Sequence, residues 1–262
     1  KSELLDRRLR VNLSAYWLDV SGLQTPSGFV RANGSIGFVT RNFADYENKG
    51  IELEINAVPA RGLNVFASFG YQDDKYKIDL NRPVLDAYGV QSVGAQQAKC
   101  LAQLAAGLVP GGNATDCAQG IVAANGSLAS PVRTPKFNLS IGGSYEAELG
   151  GGLSLIPAIN ANWRDKSEVG TSNVTFYDDP VTSSAGPVYA NNLLGNGPRI
   201  AGSLSESRWI ANATLTLKSE AGWSLSVECR NCFDEEAVES TLANLEYINP
   251  PRTWLLKGRF SF

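Results

Sequence analysis

Strict alternation of apolar and polar residues is the feature of this sequence that most restricts its fold. Eight segments show it, at about 8–20, 46–58, 62–74, 134–147, 153–165, 207–219, 222–231 and 252–262. In the first segment, Leu9, Val11 and Leu13 occupy alternate positions, and Arg10 and Asn12 lie between them. Because successive side chains of a strand point to opposite faces, each segment predicts a β-strand with one apolar and one polar face.

Strand length and connection length distinguish a soluble sheet from a membrane barrel. The segments run about 9 to 13 residues, whereas globular strands usually have about five or six and a tilted membrane strand needs about 9 to 11. Short Gly-containing turns at 59–62, 147–152 and 220–222 alternate with long connections at about 21–45, 75–133, 166–206 and 232–251. Short turns at one end and long loops at the other are typical of outer-membrane barrels. The sequence therefore predicts an all-β fold, a transmembrane antiparallel β-barrel with four long extracellular loops.

The polar face predicts a wet interior. It carries many charged and amide side chains, and those expected to face the lumen or whatever fills it include Glu52, Glu54, Glu228, Arg230 and Arg259. Such groups cannot fill a dry core, because each would need a hydrogen-bonding partner. An eight-stranded barrel is only wide enough for side chains to fill it. We therefore expect the eight strands to belong to a larger barrel.

Composition excludes several functional classes. The chain has no His, which removes His-based general bases, Ser-His-Asp triads and His-rich metal sites. We therefore expect no catalytic residue, no metal site, no cofactor and no enzyme activity. The net charge is -3 and the basic residues form no stripe, so nucleic acid is not an expected partner.

The four cysteines suit an oxidising compartment, because their number is even. A bridge between Cys100 and Cys117 is favoured over two free thiols, and it would contribute about 3 kcal/mol to stability by closing a loop. Cys229 and Cys232 form a C-x-x-C at the end of a strand pattern. Since no helix pattern follows, a local bridge or two inert thiols is favoured over redox catalysis.

Four stretches of the chain resemble the TonB-dependent receptors. They are NKGIELE at 48–54, GLNVFASFGYQDDKY at 62–76, RNCFDEE at 230–236 and the closing segment 251–262. Their order and spacing are similar to those of the C-terminal third of that family's barrel, and the resemblance covers essentially the whole chain. Cys232 departs from the family pattern, which usually has an apolar residue after Arg-Asn.

The resemblance implies a 22-stranded barrel in the outer membrane of a Gram-negative bacterium, closed by an N-terminal plug domain. It implies uptake of a scarce nutrient, such as a siderophore, a vitamin or an oligosaccharide, with energy delivered through TonB. The chain would supply the last eight strands. Its partners would be outer-membrane lipid, its own plug and remaining barrel strands, the TonB complex acting through that plug, and a small-molecule ligand. The plug is not part of this sequence.

The resemblance also implies roles for individual residues. Ligand capture would use loop side chains, for which the candidates are Phe176, Tyr177, Tyr189, Asn191, Asn192 and Tyr247. The charges on Glu52, Glu54, Glu228, Arg230 and Arg259 would hold the plug through hydrogen bonds that a pull from below can break one at a time.

Three other functions remain open from the sequence. A passive porin-like or small structural barrel would need neither plug nor TonB. An outer-membrane enzyme would have to use carboxylate or Lys chemistry, because His is absent. Seven Asn-x-Ser/Thr sequons raise the alternative of a secreted glycoprotein. Three of them fall inside strand patterns, however, whereas glycosylated sequons are expected in surface loops.

Overall fold

The structure is a computed structural model that describes residues 2–30, 36–86, 89–108, 117, 121–123, 126, 128–170, 181–183, 186–188, 204–242 and 245–260. Its elements are, in chain order, β1 (Ser2–Leu4), β2 (Leu9–Val30), β3 (Ile36–Ala60), β4 (Leu63–Lys77), β5 (Pro83–Asp86), β6 (Gly89–Ser92), α1 (Val93–Ala105), β7 (Phe137–Tyr145), β8 (Ala147–Gly150), β9 (Leu153–Arg164), β10 (Ser167–Glu168), β11 (Val181–Ser183), β12 (Gly186–Val188), β13 (Leu204–Ser205), β14 (Arg208–Ser219), β15 (Trp223–Arg230), β16 (Val238–Leu242), β17 (Leu245–Ile248) and β18 (Thr253–Phe260).

One antiparallel sheet dominates the fold. Its strands lie in the order β1-β2-β3-β4-β7-β9-β14-β15-β18, with β8 paired to β9 off this path. Each of the eight predicted segments contains one long strand of this sheet, and neighbours in the chain are neighbours in space. Within the described residues β1 and β18 are not paired with each other, so the sheet is open. The all-β prediction is confirmed, and the sheet is part of a barrel wall rather than a closed barrel.

The short turns lie where the sequence predicts them, and glycine makes two of them possible. Arg61 and Gly62 join β3 to β4, and Gly62 has a φ of +77°. A Cβ at Gly62 would approach the carbonyl oxygen of Glu146 to 2.6 Å. Gly151 and Gly152, with φ of +61° and +73°, join β8 to β9. Residues with a Cβ rarely adopt such positive φ values, so these turns require glycine.

The first long connection is built differently from what the alternation indicates. β2 and β3 remain paired from Leu9 and Ala57 up to Val30 and Ile36, so most of the predicted loop at 21–45 is a continuation of the hairpin. The register shifts between Val20 and Gln24. Strands above a bilayer meet water on both faces, and alternation is not required there. This is why the sequence pattern ends before the strands do.

The second long connection, predicted at 75–133, contains a compact core. Helix α1 is capped at its N-terminus by Ser92, whose hydroxyl accepts a hydrogen bond from the backbone N–H of Ala95 at 3.1 Å. The buried core consists of Val93 on the helix together with Ala44, Cys117, Ile121, Val122, Ala123 and Ala129. A disulfide joins Cys100 on the helix to Cys117, with their Cα atoms 5.5 Å apart. No helix among the described residues is long and apolar enough to cross a membrane.

Candidate functional site: the barrel wall and its polar hollow

The register assembles the apolar residues of all the long strands on one face of the sheet. One row of directly paired residues runs across six strands, through Leu13, Leu53, Phe69, Leu139, Trp163 and Trp209. Large apolar side chains of this face are exposed: in the row Leu13 is 67% exposed and Trp209 41%, and on β18 Leu256 is 72% exposed. Soluble monomers rarely expose a continuous apolar surface of this extent. The face is therefore suited to contact with lipid.

Tryptophans mark the end of the apolar face that is nearest the long connections. Trp17, which is 68% exposed, lies on β2, and Trp163 and Trp209 are directly paired on β9 and β14. The row of directly paired residues that contains Trp163 reaches β2 at Leu13, which is four residues from Trp17 on the side of the short turns. A stagger of this kind is expected when strands tilt within a barrel wall. Amphipathic rings at one level are typical of a membrane–water interface.

The opposite face carries the charged residues predicted to line the lumen. Asn12 donates to Glu54 at 3.1 Å, and Ser14 donates to Glu52 at 3.4 Å across the β2–β3 pair. Glu228 accepts from Arg230 at 2.6 Å and is also paired with Lys257. Arg259 pairs in register with Ser224, on the same face as Glu228. All five predicted lumen residues thus share one face. That they contact a plug stays a prediction.

A hollow of about 550 Å³ lies on this polar face, at the end nearest the long connections. It is lined by polar and charged side chains with a few apolar ones among them: Asn162, Arg164, Arg208, Ile210, Asn212, Arg230, Asn231, Glu239, Asn249, Pro250, Pro251, Thr253 and Leu255. A concave site of this size, in which polar groups converge and a few apolar side chains complete the lining, is suited to a small molecule that carries polar groups.

Three arginines give the hollow a positive charge. Arg164 and Arg208 are directly opposite each other on β9 and β14. Arg208 is buried and is held by Ser205, at 2.6 Å, and by Glu239. Arg230 is paired with Glu228. Among the described residues no acidic side chain lies within ion-pair distance of Arg164, so the positive charge of the lining exceeds the negative.

A chain of amide side chains crosses the wall beside the hollow. Ser140 donates to Asn162 at 2.8 Å, and Asn162 donates to Asn160 at 3.4 Å. Asn212 also donates to Asn160, at 2.9 Å, and its own oxygen accepts the backbone N–H of Asn231 at 2.9 Å. The chain therefore connects β7, β9, β14 and the residue that follows β15. Because each amide has both a donor and an acceptor, it can relay such a chain from strand to strand.

Asn231 connects this chain to the last long connection. It has a φ of +48° and is buried. Its Nδ2 donates to the carbonyls of Glu235 at 2.8 Å and Pro250 at 3.2 Å, and its Oδ1 accepts from the N–H of Glu235 at 2.9 Å. Asn249 similarly accepts from the N–H of Ala237. These bonds close the base of segment 232–251 above the hollow.

A charge cluster lies on the outward face, two residues beyond the level of Trp17. Glu47 is buried beneath three lysines, with ammonium nitrogens at 2.6 Å for Lys77, 3.2 Å for Lys75 and 3.3 Å for Lys49. The hydrogen bond from Lys77, followed by those from Lys75 and Lys49, lowers the pKa of Glu47 from 4.5 to about 2. Lys49 also lies over the Trp17 ring, 4.5 Å from its centroid. The cluster anchors the β2–β3–β4 wall at the edge of the apolar face.

The predicted ligand-contacting residues are only partly placed by the structure. Tyr247 lies on β17 and is 51% exposed. The other five, Phe176, Tyr177, Tyr189, Asn191 and Asn192, lie outside the described residues. The structure joins Cys229 to Cys232, the second pair of predicted disulfide candidates, as well as Cys100 to Cys117.

The pairing of Arg164 with Arg208 was not foreseen from the sequence. The two residues are 44 positions apart and end adjacent strand patterns on the side of the same long connection. That position is a sequence signal, because the ends of two strands joined by a hairpin connection lie side by side.

An open antiparallel sheet with a lipid-facing apolar side and a wet charged side defines the wall of a membrane β-barrel. The family model "TonB dependent receptor-like, beta-barrel" matches residues 1–232. The chain therefore belongs to the TonB-dependent receptor family, whose members are outer-membrane proteins of Gram-negative bacteria.

Solved structures of siderophore receptors have the same fold. The siderophore receptor PiuA from Acinetobacter baumannii is 12% identical with a TM-score of 0.56, and the match covers 98% of this chain and 27% of that receptor. The ferric yersiniabactin uptake receptor FyuA from Yersinia pestis is 10% identical with a TM-score of 0.57, covering 97% and 28%. The ferric-catecholate import receptor Fiu from E. coli K12 is 16% identical with a TM-score of 0.54, covering 99% and 26%. The chain thus spans about a quarter of the length of these receptors.

Proposed function

We propose that this chain forms part of the barrel of a receptor that imports a scarce nutrient across the outer membrane, driven by TonB, and that the nutrient is a siderophore-like metal chelate. The observation that carries the proposal is the segregation of the two faces across every long strand. Membership of the TonB-dependent family supplies the energy source. The similar structures, which are receptors for siderophores by their descriptions, support the choice of ligand class.

In this proposal the chain contributes about eight strands to a 22-stranded barrel. The open sheet supports this, because β1 pairs with β2 over only three residues and β18 pairs only with β15 among the described strands. An exposed sheet edge is not tolerated in a bilayer, since its N–H and C=O groups would lack partners there. Further strands of the receptor would cover both edges, and a plug would contact Glu52, Glu54, Glu228, Arg230 and Arg259.

No bond is made or broken in the proposed activity, and the chain is not an enzyme. The segments above the wall, including Tyr247, would capture the ligand, and the polar hollow would receive it. The inward face then offers a hydrogen-bonding path that water or a plug can occupy. A barrel wall without a plug would instead serve passive diffusion, which is the competing function.

The test is uptake of ⁵⁵Fe-labelled chelates by cells that express the complete receptor as their only iron receptor. The panel includes ferric citrate, a ferric catecholate and a ferric hydroxamate. We expect at least one chelate to accumulate, and accumulation to stop when the gene for TonB is deleted or a protonophore is added. Accumulation that survives both treatments would establish passive diffusion and refute the proposal.

A further inference from the structure

We propose that Arg164, with Arg208 and Arg230 beside it, forms a binding subsite for an oxyanion of the transported ligand, a carboxylate or a phenolate. This inference rests on the proposed function and deepens it by naming the chemical group that the hollow receives. The guanidinium groups lie on three adjacent strands at the outer end of the wall, β9, β14 and β15.

The positive charge of the three arginines is only partly neutralised. Like charges that are directly opposite across a strand pair destabilise a sheet, and Arg164 is directly opposite Arg208. Glu239 compensates Arg208, and Glu228 is shared between Arg230 and Lys257. Arg164 is exposed in the same hollow and has no acidic partner among the described residues. An anion between Arg164 and Arg208 would remove the repulsion that remains.

Arg208 and the strands that carry the three arginines are held in fixed positions. Arg208 is 7% exposed and is fixed on two sides by Ser205 and Glu239. The amide chain through Asn160, Asn212 and Asn231 ties the strands that carry the arginines to one another. A planar guanidinium in a fixed position binds a carboxylate with two parallel hydrogen bonds, which is the strongest form of this contact.

The position and the lining of the hollow indicate which anion it receives. The hollow lies at the outer end of the wall, beneath residues 249–251 of the last long connection, and it has apolar walls from Ile210 and Leu255. The anionic group of a metal chelate matches both the charge and the mixed lining, and a volume of about 550 Å³ accommodates part of such a molecule. An acidic side chain of a plug is the competing occupant.

The experiment uses the complete purified receptor and measures equilibrium binding of citrate, inorganic phosphate and 2,3-dihydroxybenzoate. We expect at least one of the three to bind saturably, more weakly at high salt, and about tenfold to a hundredfold more weakly in Arg164→Gln. Arg61→Gln is the matched control, because Arg61 is an exposed arginine at a short turn, paired with Glu148. It should leave binding unchanged.

Two results would overturn the subsite. One is no detectable binding of any probe to the complete receptor, which would mean that a plug side chain occupies the hollow or that no anion does. The other is binding that Arg164→Gln and Arg61→Gln weaken equally, which would mean a general charge effect. Neither depends on TonB, so failure of the subsite is distinguishable from failure of the proposed function, which the uptake assay measures.

Discussion

Removal of the Asn231 side chain should release segment 232–251 from the wall. The change is Asn231→Gly, because glycine adopts the observed φ of +48° without cost and keeps the backbone N–H that donates to Asn212. The side chain makes three hydrogen bonds, two to Glu235 and one to Pro250. At about 1 kcal/mol net for each bond, the segment should lose about 3 kcal/mol of local stability, which is about a hundredfold in its opening equilibrium.

The assay is amide hydrogen exchange of the complete receptor, followed by mass spectrometry of peptides from 232–251. Exchange at Glu235 and Ala237 should rise about a hundredfold, because both amides are held by the Asn231 and Asn249 side chains. Asn231→Ala should raise exchange further, since a left-handed conformation costs a residue with a Cβ about 1 to 2 kcal/mol.

Asn64→Ala is the control for this measurement. Asn64 lies on the same polar face, but no side-chain hydrogen bond joins it to another described residue. Exchange in 232–251 should then match the unchanged receptor. If Asn231→Gly raised exchange at Glu235 by less than about threefold, the inference that this side chain closes the segment would be wrong.

Three further predictions test other parts of the wall. Gly50→Val should destabilise the barrel by about 1 to 3 kcal/mol, because a Cβ at Gly50 would overlap the ring of Tyr16. The temperature at which the folded band disappears in gel electrophoresis should fall, and adding Tyr16→Ala to Gly50→Val should recover part of that lost temperature. Glu47→Gln should destabilise the receptor at neutral pH. Because the folded-state pKa is lowered from 4.5 to about 2, the difference from the unchanged receptor should be constant above about pH 4.5 and vanish as the pH falls through about 2 in acid-unfolding curves. Leu225→Lys, on the lipid face, should cost about 2 to 4 kcal/mol in chemical unfolding from lipid vesicles, whereas Ser144→Lys, on the polar face between the uncharged residues Asn64 and Ala158, should cost almost nothing; a larger loss for Ser144→Lys would mean that the faces are assigned the wrong way round.

The wall was predictable from the sequence because a bilayer imposes a simple rule on every strand that crosses it. The side chain that meets lipid has to be apolar, and its neighbours in the chain point the other way. Leu13 and Leu139 obey this rule, and the register places them in one row. The turn at Gly62 was predictable for a related reason, since a tight reversal with positive φ needs glycine.

The segments above the wall were not predictable in the same way. Beyond Val20 the β2–β3 hairpin has water on both sides, so the strands continue without alternation in the sequence. Helix α1 and the core around Val93 and Cys117 depend on contacts between residues distant in the chain, including Ala44. No local pattern specifies such contacts, because a short apolar run is ambiguous between helix and strand.

The hollow was predictable in part. The polar face and the charges of Glu228 and Arg230 followed from the alternation, but the pairing of Arg164 with Arg208 needed the register. The role of Asn231 was harder to foresee. Its sequence context shows only the resemblance of an Arg-Asn pair to a family, whereas its function as a connection to Glu235 and Pro250 depends on a positive φ and on distances.

The two faces of the wall differ in how strictly the fold specifies the side chain at each position. Lipid is a solvent without specific donors or acceptors, so an apolar residue of similar size at Leu225 or Leu215 meets the same requirement. The inner face is different, because Asn160, Asn212 and Asn231 each need a particular partner at a particular distance. A barrel wall could fold with an apolar outer face and few specific contacts on its inner face. In this chain, however, side-chain hydrogen bonds continue along the inner face up to the base of segment 232–251. These amide hydrogen bonds join the strands that carry Arg164, Arg208 and Arg230, and the proposed anion subsite lies on the same strands.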